Sequence, residues 1–386
     1  MKNQFEDLTR RVIRSSIDWS GVGLRLDDYL AARFTYRSAD EWRERIARRE
    51  ILVNDLPAEP ERILALHDRL EYFPGDLPEP EAELSYRIAY EDDELLIVDK
   101  PGNLCVHPSG PFFRHTLWHM LCSAYGKIHL VNRLDRETSG LLIAAKNMHA
   151  AARLGDMIRA HAIQREYLAI ASGDVQDLFR CADTEAALQA CTVSRRTHAD
   201  QCETRSVKKS PQDGIRTLSG TPLPSGLYLS RSADPIYARA RLQNLDGRFP
   251  DSLADIPALF DPTNPVLGLH FTVNAAIGRK EDSVIERCID YVQGDYAVTH
   301  GLLLSYNEEK DLSLLRLKLE TGRTHQIRVH MKYLGHPLPG DFLYYPDERF
   351  ITRQPLHSWR LRFRHPISGK LLELTAPLPE DMLQLL

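Results

Sequence analysis

Nowhere does this 386-residue chain contain an apolar run approaching the roughly 18 residues of a membrane-spanning helix. Residues 1–20 likewise lack the apolar core of a signal peptide, so no membrane partner is expected. Cysteine is sparse. The six present (Cys105, Cys122, Cys181, Cys191, Cys202 and Cys288) form no CxxC pair, which excludes the tight framework of a small secreted domain. A reducing, cytoplasmic-type compartment fits best. Cys181, Cys191, His198 and Cys202 supply enough ligands for zinc, but zinc sites use closer pairs, typically about two to four residues apart. Buried or free thiols are therefore favoured over a metal site. An excess of positive charge is also missing, the formal net charge being -5. That argues against wholesale nucleic-acid binding, although a net charge hides local clusters.

What is present is an ordinary packing composition, 43% hydrophobic and 27% charged, in a chain long enough for two or three domains. Residues 1–20 read as a polar arm with Arg10, Arg11 and Arg14. A small α/β module follows over 21–75. Its first helix carries Leu26, Tyr29, Leu30 and Phe34; its second starts at Ser38 as N-cap and buries Trp42 and Ile46. Ile51–Val53 and Leu70–Phe73 read as strands. Residues 76–83, with Pro78 and Pro80 among acidic residues, read as a linker.

From residue 84 onwards strand signals dominate. The runs at 95–98 and 141–144 suit buried strands. Leu315, Leu317 and Leu319 alternate with Arg316, Lys318 and Glu320; Trp359, Leu361 and Phe363 alternate with Arg360, Arg362 and Arg364. Both patterns predict a strand with one wet face. Helices are predicted over 147–161 and from Thr324 to Gly335. The mixture predicts an α+β fold with a central, mostly antiparallel sheet flanked by helices. Residues 174–269 interrupt this texture and read as an insertion, either a subdomain or a loop.

Two constellations carry the chemistry. Asn132-Arg133-Leu134-Asp135-Arg136-Glu137-Thr138-Ser139-Gly140 precedes an apolar strand and reads as a bland polar loop or as a catalytic one. Thr321-Gly322-Arg323-Thr324-His325-Gln326-Ile327-Arg328-Val329-His330 opens a helix with donors. It reads as a solvated basic start or as an anion site.

Taken together, these motifs resemble those of the pseudouridine synthases of the large-subunit ribosomal RNA and transfer RNA type. The family pattern H-R-L-D-x-x-T-S-G is matched by 132–140, and T-G-R-x-H-Q-I-R-x-H by 321–330. Asp99-Lys100-Pro101-Gly102, Val106-His107-Pro108, Tyr167-Leu168-Ala169, His336-Pro337, Gly340-Asp341, Leu356-His357 and His365-Pro366 continue the likeness. The match spans roughly 84–173 and 270–386, and the catalytic domain is accordingly placed at 84–386. Residues 21–75 separately resemble an S4-type RNA-binding module, with Arg25, Arg43, Arg45, Arg48 and Arg49 as its basic residues, diluted by Asp40, Glu41 and Glu44. The competing reading of that stretch is a solvated helical face.

The resemblance implies isomerisation of uridine to pseudouridine in structured ribosomal or transfer RNA, by a monomer. The reaction involves no redox change, so neither cofactor nor metal is demanded. Asp135 would be the nucleophile, Arg328 would orient it and keep it charged, and Tyr167 would stack on the uracil. Taken alone, Tyr167 is better read as an ordinary strand tyrosine with its hydroxyl satisfied. Arg133 would fill the gap left by the extruded nucleotide. Asn132, Thr138, Arg323, His325, Gln326 and Ile327 would line the substrate site. Lys100 and His107 would contact phosphate or serve the fold. Asn132 departs from the family's histidine, which bears on site selection more than on chemistry. Rival readings are a non-catalytic RNA-binding or ribosome-assembly protein on the same scaffold, and a nucleoside glycosidase.

Overall fold

The computed structural model describes residues 11–75, 78–180, 227–231 and 269–386. Packing divides the chain into two units. The first combines 1–81 with 107–127, and the second combines 82–106 with 128–386.

In the first unit, β1 (Ile13–Ser16), β2 (Ile51–Val53), β3 (Leu56–Pro57) and β4 (Arg69–Tyr72) form an antiparallel sheet in the order β1-β4-β2-β3. Asn54 and Asp55, both at positive φ, make the tight turn that joins β2 to β3. Helices α1 (Leu26–Arg33) and α2 (Ala39–Ala47) complete its core, where Leu26, Leu30, Trp42, Ile46, Ile51 and Val53 pack together. Ser38 caps α2 as the sequence predicts. It accepts the Glu41 N–H, and the Glu41 carboxylate accepts the Ser38 N–H in return. Helix α3 (Leu117–Tyr125) also belongs here, which differs from the expected boundary. The cause is a set of local bonds. Glu79 accepts the N–H groups of Phe113, Arg114 and His115 at 2.8–2.9 Å, and Arg11 donates to the carbonyls of Gly110 and Pro111. The stretch expected as a linker is thus pinned at Glu79.

The second unit is built on one 11-stranded sheet. Its strands are β5 (Arg87–Glu91), β6 (Leu95–Lys100), β7 (His129–Leu130), β8 (Ser139–Ala145), β9 (Gln164–Ser172), β10 (Leu227–Arg231), β11 (Leu269–Asn274), β14 (Val298–Asn307), β15 (Leu312–Leu319), β16 (Leu356–Arg364) and β17 (Leu371–Thr375). A separate hairpin pairs β12 (Ile277–Arg279) with β13 (Arg287–Ile289). The main order is β10-β11-β14-β15-β9-β16-β8-β6-β5, with β17 on β16 and β7 on β8. Among the described residues every pairing is antiparallel except β16 with β8. Helices α4 (Met148–Arg159), α5 (Asp177–Arg180), α6 (Gln326–Tyr333) and α7 (Glu380–Leu383) accompany this sheet. The fold is α+β, as the sequence predicts. Strand β8 is buried throughout, as its apolar run requires. Strand β16 departs from its predicted pattern: Arg360 is buried, because Glu166 of β9 and Glu373 of β17 take its guanidinium.

Within the predicted insertion, β10 extends the sheet edge against β11. Residues 181–226 and 232–268, with Cys181, Cys191, His198 and Cys202, lie outside the described residues, as does Arg10 of the N-terminal arm. Among the described residues no helix is long and apolar enough to cross a membrane.

Candidate active site

The parallel contact between β16 and β8 positions the loop that carries Asp135. Gly140 sits at φ +103, and a Cβ there would lie 2.3 Å from the Ser358 carbonyl oxygen. Only glycine allows β16 this close at that backbone conformation. The loop 132–138 is then closed by a turn from the Thr138 N–H to the Asp135 carbonyl at 3.1 Å. On the other side of β16 runs β9, where Tyr167 stands opposite Ser358 in register. The Asp135 loop and Tyr167 therefore flank one strand.

Helix α6 brings the guanidinium. Its first residue, Gln326, is buried; its Oε1 accepts from Thr321 Oγ1 at 2.8 Å and its Nε2 donates to the Val298 carbonyl at 2.9 Å. His325 precedes it in a left-handed conformation, φ 57, which histidine tolerates better than most residues. Arg328 then falls in the first turn, its side chain 2% exposed. Nε and Nη2 donate to the two oxygens of Asp341, each at 2.7 Å, and Nη1 donates to Asp135 Oδ2 at 2.9 Å. One buried cation thus sits between two carboxylates; burial pulls its pKa down, but the hydrogen bonds and charges of Asp341 and Asp135 hold it well above its ordinary value. The Tyr344 ring lies 4.9 Å from the guanidinium carbon.

Asp135 is 22% exposed, and its Oδ1 accepts no hydrogen bond among the described residues. On that side His325 Nε2 lies 3.9 Å from it. Burial pushes the His325 imidazole below its usual range, which favours the neutral ring. His325 Nδ1 lies 2.9 Å from the Tyr344 hydroxyl, which also accepts the Arg287 N–H at 2.8 Å. With that hydroxyl donating to Nδ1, the ring N–H is left on Nε2, facing Asp135. Tyr167 is buried, and desolvation raises its pKa; Arg165 and a hydrogen bond with Ser358 oppose the rise, while the Asp135 charge adds to it. The structure therefore brings Asp135, Arg328, His325 and Tyr167 into one electrostatic neighbourhood.

The remaining expected residues divide. Arg133 is exposed at the loop, and Arg323 is partly exposed, its Nε donating to the Tyr296 carbonyl at 2.9 Å. Asn132 Oδ1 accepts the Ile143 N–H at 2.9 Å, so this side chain braces the loop against β8. Lys100 differs from the phosphate-binding alternative. Its buried ammonium donates to the carbonyls of Pro101, Leu104 and Arg136 at 2.7–3.0 Å, leaving no donor over, and burial drives its pKa down to about 7. Gln326 and Thr138 are buried and bonded internally, and Ile327 is buried in the first turn of α6. His107 is exposed and belongs to the first unit. Sequence reasoning assigned no role to Asp341 or Tyr344. The signal available for Asp341 was the lone carboxylate of Gly340-Asp341, placed after a helix with a buried arginine to satisfy.

In the first unit the five arginines of the basic cluster are mostly paired. Arg25 and Arg43 both bind the buried Asp27, and these hydrogen bonds, that of Arg25 foremost, lower its pKa to about 2. Arg45 pairs with Glu50 and Arg48 with Glu44, so Arg49 alone of the five lacks an ion pair among the described residues.

The family model described as RNA pseudouridylate synthase matches residues 94–225 and 263–333. An uncharacterised RNA pseudouridine synthase of Bacillus subtilis is 30% identical over 305 residues, covering 78% of this chain and 75% of that protein. Ribosomal large subunit pseudouridine synthase D of Escherichia coli is 27% identical over 407 residues, covering 97% and 93%. Among solved structures, human RNA pseudouridylate synthase domain containing 1 aligns with TM-score 0.46 and 20% identity, covering 78% of this chain and 86% of that one.

Proposed function

The chain belongs to the RNA pseudouridylate synthase family, and we propose that its Asp135 is the nucleophile acting on a uridine of large-subunit ribosomal RNA. As an isomerase it returns a product with the same atoms as its substrate. Asp135 Oδ1 engages C1′ while the C1′–N1 bond breaks, and the bonding electrons leave on uracil N1. The uracil turns so that C5 faces C1′. As the C5–C1′ bond forms, Asp135 Oδ1 leaves C1′ with its bonding electrons and is again a carboxylate, the C5 proton is lost and N1 is protonated. No step changes an oxidation level, so side chains suffice and no cofactor is invoked. Tyr167 holds the base, Arg133 occupies the space left in the RNA, and the first unit serves as an S4-like RNA-binding module. Cytoplasmic-type surroundings, where ribosomal RNA is accessible, fit this role.

The observation supporting this reading is the asymmetry of the Asp135 carboxylate. Arg328, itself anchored on Asp341, grips Oδ2, while Oδ1 accepts no hydrogen bond among the described residues. A merely structural ion pair gains nothing from such a free oxygen. The test is release of tritium from RNA labelled at uridine C5. Wild-type protein is expected to release it and Asp135→Asn is not. Wild type that binds RNA yet releases nothing from ribosomal RNA would instead make this chain a non-catalytic binder.

A further inference from the structure

The first unit contains a cavity of about 930 Å³, at the upper end of the range of about 300–1,000 Å³ typical of ligand sites. Its composition is one-sided. Among its sixteen lining residues are three arginines (Arg11, Arg14 and Arg37) and no carboxylate. Five more are aromatic, Tyr36 and Trp118 among them. Tyr36 is 62% exposed, yet its ring is held by edge contacts with Phe34 and Trp42 at 6.2 and 5.5 Å. Among the described residues, two polar atoms there have no hydrogen-bond partner. One is the hydroxyl of Tyr72, a residue only 5% exposed; the other is Nε of Arg37. The Arg37 guanidinium rests 5.9 Å from both the Tyr36 and Trp42 ring centres, and its nearest carboxylate oxygen, on Glu41, is 3.9 Å away. Arg14 pairs with Glu71 at 2.8 Å, but it is half exposed, and such pairs exchange readily with other anions.

We infer that this groove is a second RNA-contact site, in which an unstacked nucleotide lays its base on Tyr36 and Trp118 and its phosphates on Arg14 and Arg37. Arginines in a lining that itself contributes no carboxylate favour an anion, their pairs with Glu71 and Glu41 lying at its margin, and aromatic walls favour one with a flat face. A nucleotide has both, whereas an acidic peptide has only the first. The groove uses none of Arg25, Arg43, Arg45, Arg48 and Arg49, four of which are neutralised within the module. The inference rests on the reading of this chain as an enzyme acting on RNA and adds where, outside the Asp135 site, that RNA is held.

The test uses the full chain and a fluorescein-labelled, unstructured RNA oligonucleotide, read by anisotropy. Tyr36→Ala and Trp118→Ala are each expected to weaken binding by about tenfold, while Tyr36→Phe keeps it. Arg37→Gln is expected to weaken binding and to reduce the slope of log affinity against log salt by about one. Pseudouridine formation at saturating transcript should retain the wild-type kcat in all of them. Binding by folded Tyr36→Ala and Arg37→Gln within about twofold of wild type overturns the inference, as does equal displacement of the RNA by a polyglutamate peptide. The two readings fail separately. Groove variants that bind normally while wild type still makes pseudouridine remove the groove alone; groove-dependent binding without any pseudouridine removes the catalytic reading alone.

Discussion

Replacing Asp341 by Asn separates positioning from chemistry at the Asp135 site. Arg328 and Asp341 are both buried and share two bonds of 2.7 Å. An amide keeps the shape but offers one acceptor where the carboxylate offered two, so one guanidinium N–H faces an N–H. Leaving a buried donor unpaired costs about 1–3 kcal/mol, and loss of the charge partner brings the total towards the roughly 3–5 kcal/mol of a broken buried pair. Asp341 Oδ1 also accepts the N–H groups of Leu343 and Tyr344, at 3.1 and 3.2 Å, so the turn presenting Tyr344 to His325 loosens as well. Arg328 then moves towards Asp135. A displacement of even 1 Å is expected to lower kcat by about a hundredfold. Asp135→Asn should behave differently, abolishing product while costing about 1 kcal/mol or less, because Asp135 is partly exposed and Arg328 keeps Asp341. The assay is urea unfolding of both variants beside single-turnover pseudouridine formation at a temperature where both are folded. Equal destabilisation by the two changes, or full kcat in Asp341→Asn, would refute the anchoring role.

Three further outcomes follow from buried groups. Burial holds His357 at a pKa of about 3 and His330 at about 4, both below an unfolded value near 6.5. The unfolded chain therefore binds protons first, stability is intact above that value, and each histidine removes about 1.4 kcal/mol per pH unit as the pH falls from there towards 4; the urea midpoint should drop accordingly between pH 7 and 5. Gly140→Ala places a methyl 2.3 Å from the Ser358 carbonyl oxygen at φ +103 and is expected to destabilise by 3 kcal/mol or more in round terms, read as about 5 °C or more in Tm. Lys100→Met strips three carbonyls, one fully buried and two partly so, of their donor, so stability should fall by about 3 kcal/mol with RNA affinity unchanged; a specific loss of affinity in a fully stable variant would restore the phosphate-contact role.

Legibility of the fold from sequence followed periodicity. The runs forming β6 and β8 and the Ser38 N-cap are local signals, and each reappears at the expected residues. Alternation alone puts Arg360 on a wet face, whereas its burial depends on Glu166 and Glu373, carboxylates on two neighbouring strands that no window around position 360 contains. The grouping of 107–127 with the first unit depends in the same way on Glu79, some 34 residues upstream of Phe113. At the candidate site the motif residues were legible as a set, but their division of labour was not. Gln326, Lys100 and Asn132 look like substrate contacts because they are polar and lie within motifs; in three dimensions their polar atoms bond to backbone.

That division has a physical logic. A carboxylate that is to attack needs one oxygen without donors, so whatever holds it must act through the other. Arg328 can do so without capturing both oxygens because Asp341 occupies two of its nitrogens from the opposite side. The same two-carboxylate arrangement limits how far Arg328 can swing and keeps Oδ1, the atom proposed to meet C1′, outside its grip. Bracing by Asn132, Lys100 and Gln326 is then a requirement rather than a by-product. The geometry survives only if the loop before β8 and the first turn of α6 are each fixed to the sheet independently of substrate, and these three side chains supply bonds of that kind.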